Sequence, residues 1–400
     1  MLKKWITTLL VVFGLLTPIQ AELHYNLEDF ESTGIHGQLD VAKVNENTFI
    51  KTGLSPDFKL GSVEIGMDIN IYLPLNKESD YPSNLEFLTL RRVAYNYNDL
   101  HGFKWGRLKN VTIGMGLLMN NYDTGSAGSN QFSTKKAGLH AYTTLKNIRG
   151  EVLWTPQQVQ AGRLQYTFEE SPFFGSPIAV GASYVTDQDG ENENWGKETI
   201  IRQKQDGLGV DISAPIGGDF FTPYVEYAEL TNLSKGKGGS AGIKGRFFDQ
   251  LSYRMEYRKL GTGFVPGYFG STYHSSSFDF ATQAPKKEIN GFLGSVSSSL
   301  LNNYIKAGLV YEKYDTKDLL TASLGWKQLG NTVGVVNYRA PFQGKDNATL
   351  RADILFLTGK GLDYVVHFKR TYLGNDTFTE SYEVGLRYNF DSFFSSFLKK

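Results

Sequence analysis

Apolar residues recur at every second position through most of this chain. The clearest run is Val63, Ile65, Met67, Ile69, Ile71, Leu73 and Leu75, interleaved with Glu64, Gly66, Asp68, Asn70 and Tyr72. A strand turns successive side chains to opposite faces, so period two belongs to a strand; a helix would scatter the same residues round its circumference. The alternation returns in Leu208, Val210, Ile212, Ala214 and Ile216, in Tyr253, Met255 and Tyr257, and in Ile305, Ala307, Leu309 and Tyr311. It continues in Leu320, Ala322, Leu324 and Trp326, in Leu350, Ala352, Ile354 and Phe356, and in Leu362, Tyr364, Val366 and Phe368. A chain built from so many two-faced strands is all-β, and something apolar must cover one face of every strand.

The N-terminus says what covers it. Lys3 and Lys4 precede an apolar run from Trp5 to Leu16 and then Thr17-Pro-Ile-Gln-Ala21, the order of a secretory signal peptide over residues 1–21 with cleavage after Ala21. No later stretch approaches the ~20 consecutive apolar residues of a membrane helix. The mean hydropathy of −0.30 is no obstacle to a membrane barrel, because half of each strand then faces water. The expectation is a closed antiparallel transmembrane β-barrel over residues 34–390, after a periplasmic lead-in at 22–33 and before a tail at 391–400. The chain has no cysteine, which excludes a lipoprotein anchor, disulfides and Cys-ligated metals. Lys plus Arg number 41 against 41 Asp plus Glu, so no global field favours nucleic acid.

Bacterial barrels pair short periplasmic turns with longer outer connections. Short turns are expected near Gly217-Gly218, Phe248-Asp249, Asn302-Asn303, Gly330-Asn331 and Gly359-Lys360-Gly361, and longer connections near 231–239, 261–288, 314–318, 341–347 and 371–379. Counting back gives about 18 strands, within a range of about 16–20 because 34–54 and 146–168 parse in more than one way.

The last alternating run carries a family resemblance. In Ser381 to Phe390, Glu383, Gly385, Tyr388 and Phe390 resemble the terminal-strand signal of bacterial outer-membrane β-barrel proteins: a polar residue, Gly two on, apolar residues five and seven on. The resemblance implies residence in the bacterial outer membrane, with lipid and lipopolysaccharide around the barrel and delivery by the barrel assembly machinery.

If the apolar set faces lipid, the intervening residues face inward. Glu64, Asp68, Arg163, Asp211, Arg254, Glu256, Arg258, Lys306, Arg339, Arg351, Asp353 and Arg387 are the pore-lining candidates; Glu226, Glu312, Lys327, Asp363, Lys369 and Glu383 share their parity. Basic residues gather after Arg254 while Glu64, Asp68 and Asp211 come earlier, so opposite walls of differing sign are one expectation. Pairing of each charge with a cross-strand neighbour is the other. Arg254 and Arg258 are candidates for an electropositive wall at the base of the 261–288 connection. That connection holds Phe264, Tyr268, Phe269, Tyr273 and His274 among Gly and Ser, and it either folds into the lumen as a constriction or caps the outside.

Enzymatic readings are weak. Only His274, beside Ser275 to Ser277, sits near a candidate nucleophile, and no carboxylate stands at a recognisable spacing. The acidic stretch Asp187 to Asn194 lacks the spacing of an EF-hand loop. No cofactor or metal is expected. The function expected is a porin-like channel passing small hydrophilic solutes, the alternatives being a substrate-specific transporter or a plugged structural or adhesive barrel. The oligomeric state stays open.

Overall fold

In hydrocarbon no water can satisfy backbone N–H and C=O groups, so a sheet that crosses a membrane must leave no edge. The computed structural model meets this condition with twenty strands in one antiparallel sheet that closes on itself. It describes residues 34–389, apart from 45–46, 76–87, 98–99, 125–136, 157, 170–175, 189–192, 196–197, 201–203, 233–234, 249, 271–272, 274–283, 302, 316, 342–347, 360–361 and 375–376. The segments expected as signal peptide, lead-in and tail, together with Phe390 and with His274 and its neighbouring serines, lie outside the described residues.

Each wall strand pairs with its neighbours in chain order, and the first, Gly34–Val44, pairs with the last, Thr377–Asn389. The closing register sets His36 opposite Asn389, Leu39 opposite Leu386 and Val41 opposite Val384. Twenty strands is the top of the expected range and two above its centre. The segments that parsed ambiguously each contribute two strands, Gly34–Val44 with Asn47–Leu60, and Ile148–Trp154 with Val159–Phe168. Pro56 reads as a break in sequence, yet it lies within Asn47–Leu60 opposite Ile35. The ladder to Val63–Pro74 omits Ser55 and Pro56, which tolerates the missing N–H.

The expected rhythm of connections holds at one end and needs correction at the other. Turns are tight at residues 61–62, 146–147 and 330–331. The stretches 314–318 and 371–379, expected as longer connections, are mostly ladder: Lys313 pairs with Asp318, and Tyr372 with Phe378. Polar residues there extend the strands beyond the apolar band, so hydropathy underestimates strand length.

The outward face matches the alternation. Ile69, Ile71, Leu73, Leu208, Val210, Ile212, Met255, Tyr257, Leu309, Leu324, Tyr364, Tyr382 and Val384 are all exposed, whereas Asp68, Asn70, Asp211, Glu256, Asp353 and Glu383 between them are buried. Such an exterior in water would be a contiguous aggregation surface; in a bilayer it is the lipid face. Tyr166, Phe168, Phe220 and Tyr304 are exposed near the tight-turn end, where amphipathic rings suit the headgroup layer.

Inward parity is not uniformly polar. Leu153, Val159, Val185, Leu230 and Leu260 are buried inside, near the end from which the long connections leave, and Val333, Val335, Leu355 and Val365 form a second interior cluster.

Leu309→Arg, mid-strand on the lipid face, should cost about 2–4 kcal/mol of folding into bilayers, while Arg at the fully exposed turn residue Phe248 should cost little. Urea titrations in phosphatidylcholine vesicles read both; equal costs would contradict the assigned lipid face.

Candidate functional site

One connection leaves the wall and enters the barrel. After the short strand His101–Gly106 the chain forms a small hairpin from Val111–Ile113 and Met119–Tyr122. Leu108, Ile113, Leu117, Leu118, Met119 and Tyr122 are fully buried, packed on Leu153, Val159, Val185, Leu230 and Leu260 of the inner wall. The apolar interior patch is therefore the seat of this hairpin.

The hairpin tip is held by the wall strand Thr222–Leu230. The Glu226 carboxylate accepts from the backbone N–H of Met115 at 3.0 Å and of Leu117 at 2.8 Å. Arg254 donates to the Met115 carbonyl at 2.5 Å, and Lys244 Nζ lies 3.2 Å from the Met115 sulfur. Gly114 makes the fit: its φ is +73°, and a Cβ there would lie 2.6 Å from Glu226 Oε1. The carboxylate thus takes two backbone donors of a tight turn, an arrangement worth more inside a barrel than in water.

The second inward segment is part of the 261–288 connection. Phe269–Gly270 pairs in parallel with Met119–Asn120, completing a three-stranded sheet inside the barrel. Gly267 N–H donates to Leu117 O at 2.7 Å, and Phe269 N–H to Leu118 O at 3.2 Å. Phe264, Tyr268, Phe269 and Tyr273 are buried in the same apolar cluster, and the Tyr273 hydroxyl donates to Asp187. Of the two expectations for this connection, the described part has the lumenal placement, and its aromatics pack on the hairpin.

The wall charges come in opposite-sign sets. Arg163 meets Asp211 at 2.7 Å, with both side chains nearly fully buried. Glu256 sits between Arg254 and Arg258, its Oε2 2.8 Å from Arg254 Nε and 2.5 Å from the Tyr224 hydroxyl. Arg258, 2% exposed, also reaches Glu312 at 3.3 Å. Asp68 accepts from Ser55 at 2.7 Å and faces Arg91 at 3.6 Å; Glu64 lies between Lys59 and Arg92. Asp353 takes Arg351 at 2.9 Å and His367 at 2.8 Å. Lys306 is half-buried opposite Gly325, Arg339 is exposed, and Arg387 stands opposite Asp363 and Gln38.

This corrects the expectation of walls of opposite sign. Both signs alternate along the single strand Leu251–Leu260, where Arg254 and Arg258 share Glu256 and Arg258 also reaches Glu312, so the two arginines are ion-paired rather than forming an electropositive face. Arg254 serves the hairpin instead. Among the terminal-strand residues, Glu383 and Gly385 are buried on the inner face and Tyr388 is exposed on the outer. Sequence reading overlooked the hairpin. Its one signal was the apolar run Met115-Gly-Leu-Leu-Met119, which alternates with nothing.

No family model matches the chain, and no curated protein matches it in sequence. Among solved structures it is similar to OccK11 (OpdR) of Pseudomonas aeruginosa, at 12% identity and a TM-score of 0.38 over 92% of this chain and 99% of that one. The outer membrane protein OpdK of the same organism aligns at 9% identity and a TM-score of 0.36 over 88% of this chain and 96% of its own. A variant of the Rh. blastica porin aligns at 11% identity and a TM-score of 0.30 over 89% and 99%. TM-scores this low leave function to be read from the barrel's own geometry.

Glu226→Ala should strand two backbone N–H groups and cost about 2–4 kcal/mol of barrel stability. It should also expose the Gly114–Leu118 tip to proteinase K in the folded protein. An uncleaved tip at unchanged stability would show that Glu226 does not hold the hairpin.

Proposed function

We propose that this protein is a porin-like channel of the bacterial outer membrane that passes small hydrophilic solutes by diffusion. The observation that carries the reading is a closed twenty-stranded wall with an apolar outside and a charged inside. Twenty strands about 4.8 Å apart and tilted by about 40° make a perimeter of about 125 Å. Side chains from a wall of that size do not fill the interior, and barrels with fewer strands already leave an aqueous channel. The charges support the same reading, since water is the medium in which so many ionic side chains face a lumen at least cost.

The hairpin and the Phe269 segment lie against the wall from Ile148–Trp154 to Leu251–Leu260. They narrow the lumen from that side, so the passage for solute runs along the opposite wall. On this reading the long connections face lipopolysaccharide, and the terminal strand is the part that the assembly machinery engages.

Refolded protein in planar bilayers should give discrete, ohmic conductance steps, and replacing residues 111–122 by a short Gly-Ser link should enlarge them. Silence from a correctly folded barrel would contradict the channel and favour a plugged one; steps unchanged by the replacement would place the constriction elsewhere.

A further inference from the structure

One stretch of the inner wall, away from the hairpin, holds cations in excess of carboxylates. It spans the five strands from Lys317–Leu329 to Thr377–Asn389. Ser323, Asn337, Arg351, Lys369 and Ser381 stand side by side across it in one row of the ladder. In the next row toward the long connections stand Thr321, Arg339, Thr349, Thr371 and Thr379. Leu324, Phe378 and Tyr382 have the opposite parity and are exposed on the lipid face, so both rows face the lumen. Neither row contains a carboxylate.

Arg351 lies directly opposite Lys369 and diagonal to Arg339, positions whose Cβ atoms are about 5 Å and about 7 Å apart. Like charges directly opposite destabilise a sheet, so stability alone does not account for the arrangement. Asp353, one row nearer the tight turns, takes Arg351 at 2.9 Å and His367 at 2.8 Å. The three cations of the two rows therefore stand over one carboxylate. Arg339 is exposed and makes no ion pair among the described residues. Glu312, whose charge it feels from the other side, is held by Arg258 at 3.3 Å and by the Tyr314 hydroxyl at 2.9 Å.

We propose that these two rows form a lumenal binding site for phosphate, free or esterified to a small polyol. Three cations against the one carboxylate of Asp353 leave an excess of two, which matches the charge of about −1.5 to −2 that a phosphate monoester carries near neutral pH. Its oxygens accept from several directions, and Thr321 and Thr349 place a hydroxyl on either side of Arg339. A carboxylate has two coplanar oxygens, which a single guanidinium fork satisfies without them. Thr371, Thr379 and Ser381 continue the hydroxyls past the cations, where they can donate to and accept from a polyol. The site rests on the channel reading, because it takes the wall opposite the hairpin to be the one that solute meets.

The test is the phosphorus NMR linewidth of inorganic phosphate titrated into the detergent-folded barrel at fixed ionic strength and neutral pH. The line should broaden saturably, and glycerol phosphate should reverse the broadening where the same concentration of acetate does not. Displacement by glycerol phosphate at lower concentration than phosphate itself identifies a phosphomonoester site, and displacement only at equal or higher concentration a site for the free ion; either supports the proposal. Arg339→Gln, at an exposed position, should weaken binding about tenfold, with Lys369→Gln as the second variant if the first does not fold. Lys59→Gln removes the same charge from a wall strand outside the two rows and should leave binding unchanged. No broadening by the folded protein, displacement by acetate as effective as by glycerol phosphate, undiminished binding in Arg339→Gln, or an equal loss in Lys59→Gln would each overturn the site. A barrel silent in bilayers that still binds phosphate would contradict the channel and leave the site standing; one that conducts without binding would do the reverse.

Discussion

Everything in this fold depends on the first strand finding the last. A twenty-stranded sheet with free edges would present two rows of unpaired backbone groups to hydrocarbon, each group costing several kcal/mol. Closure removes both rows at once. It also fixes the parity of the wall, since Leu39 opposite Leu386 and Val41 opposite Val384 bring outward residues together while Asp40, Gly385 and Glu383 fall inside. A slip of one residue at the seam would send carboxylates into lipid.

Closure at this size creates the second problem, an interior too wide for its own side chains. Two devices address it. Along one wall, apolar inward residues such as Val185, Leu230 and Leu260 seat a hairpin whose tip donors end on Glu226. Elsewhere the inward charges are set against one another, as in Arg254–Glu256–Arg258 and Arg351–Asp353–His367. Such pairing keeps arginines extended along the wall and gives it a mixed local field rather than a single sign. Arg254 joins the two devices, because it binds Glu256 on its own strand and the Met115 carbonyl of the hairpin.

The wall was legible in sequence because its physics is local. The alternation in Val63 to Leu75 records which side of the pleat meets lipid, and no distant residue is needed to read it. Strand ends were less legible, as at Lys317 and Phe378, because polar residues continue a ladder without continuing the apolar band. The hairpin was illegible because its partners are remote: Met115 meets Glu226 and Arg254 across more than a hundred residues. Parity alone placed Glu226 inside without saying what it faces. The inward apolar residues contradicted the parity rule for the same reason, since Leu230 and Leu260 answer to Phe264 and Leu118 and not to lipid. The aromatic density of 261–288 marked a segment that packs on something, and the partner was the feature sequence could not name.

The closing register can be tested directly, since the chain has no native cysteine. The doubly substituted protein Leu39→Cys, Leu386→Cys, folded in outer membranes and mildly oxidised, should form an intramolecular disulfide that joins its N- and C-terminal fragments after cleavage between them, because directly opposed strand residues bring their Cβ atoms within bonding reach. The offset pair Leu39→Cys, Tyr388→Cys should link poorly. A folded protein in which the first pair stays reduced while the offset pair links would have a different seam, and one in which neither links would have no seam at all.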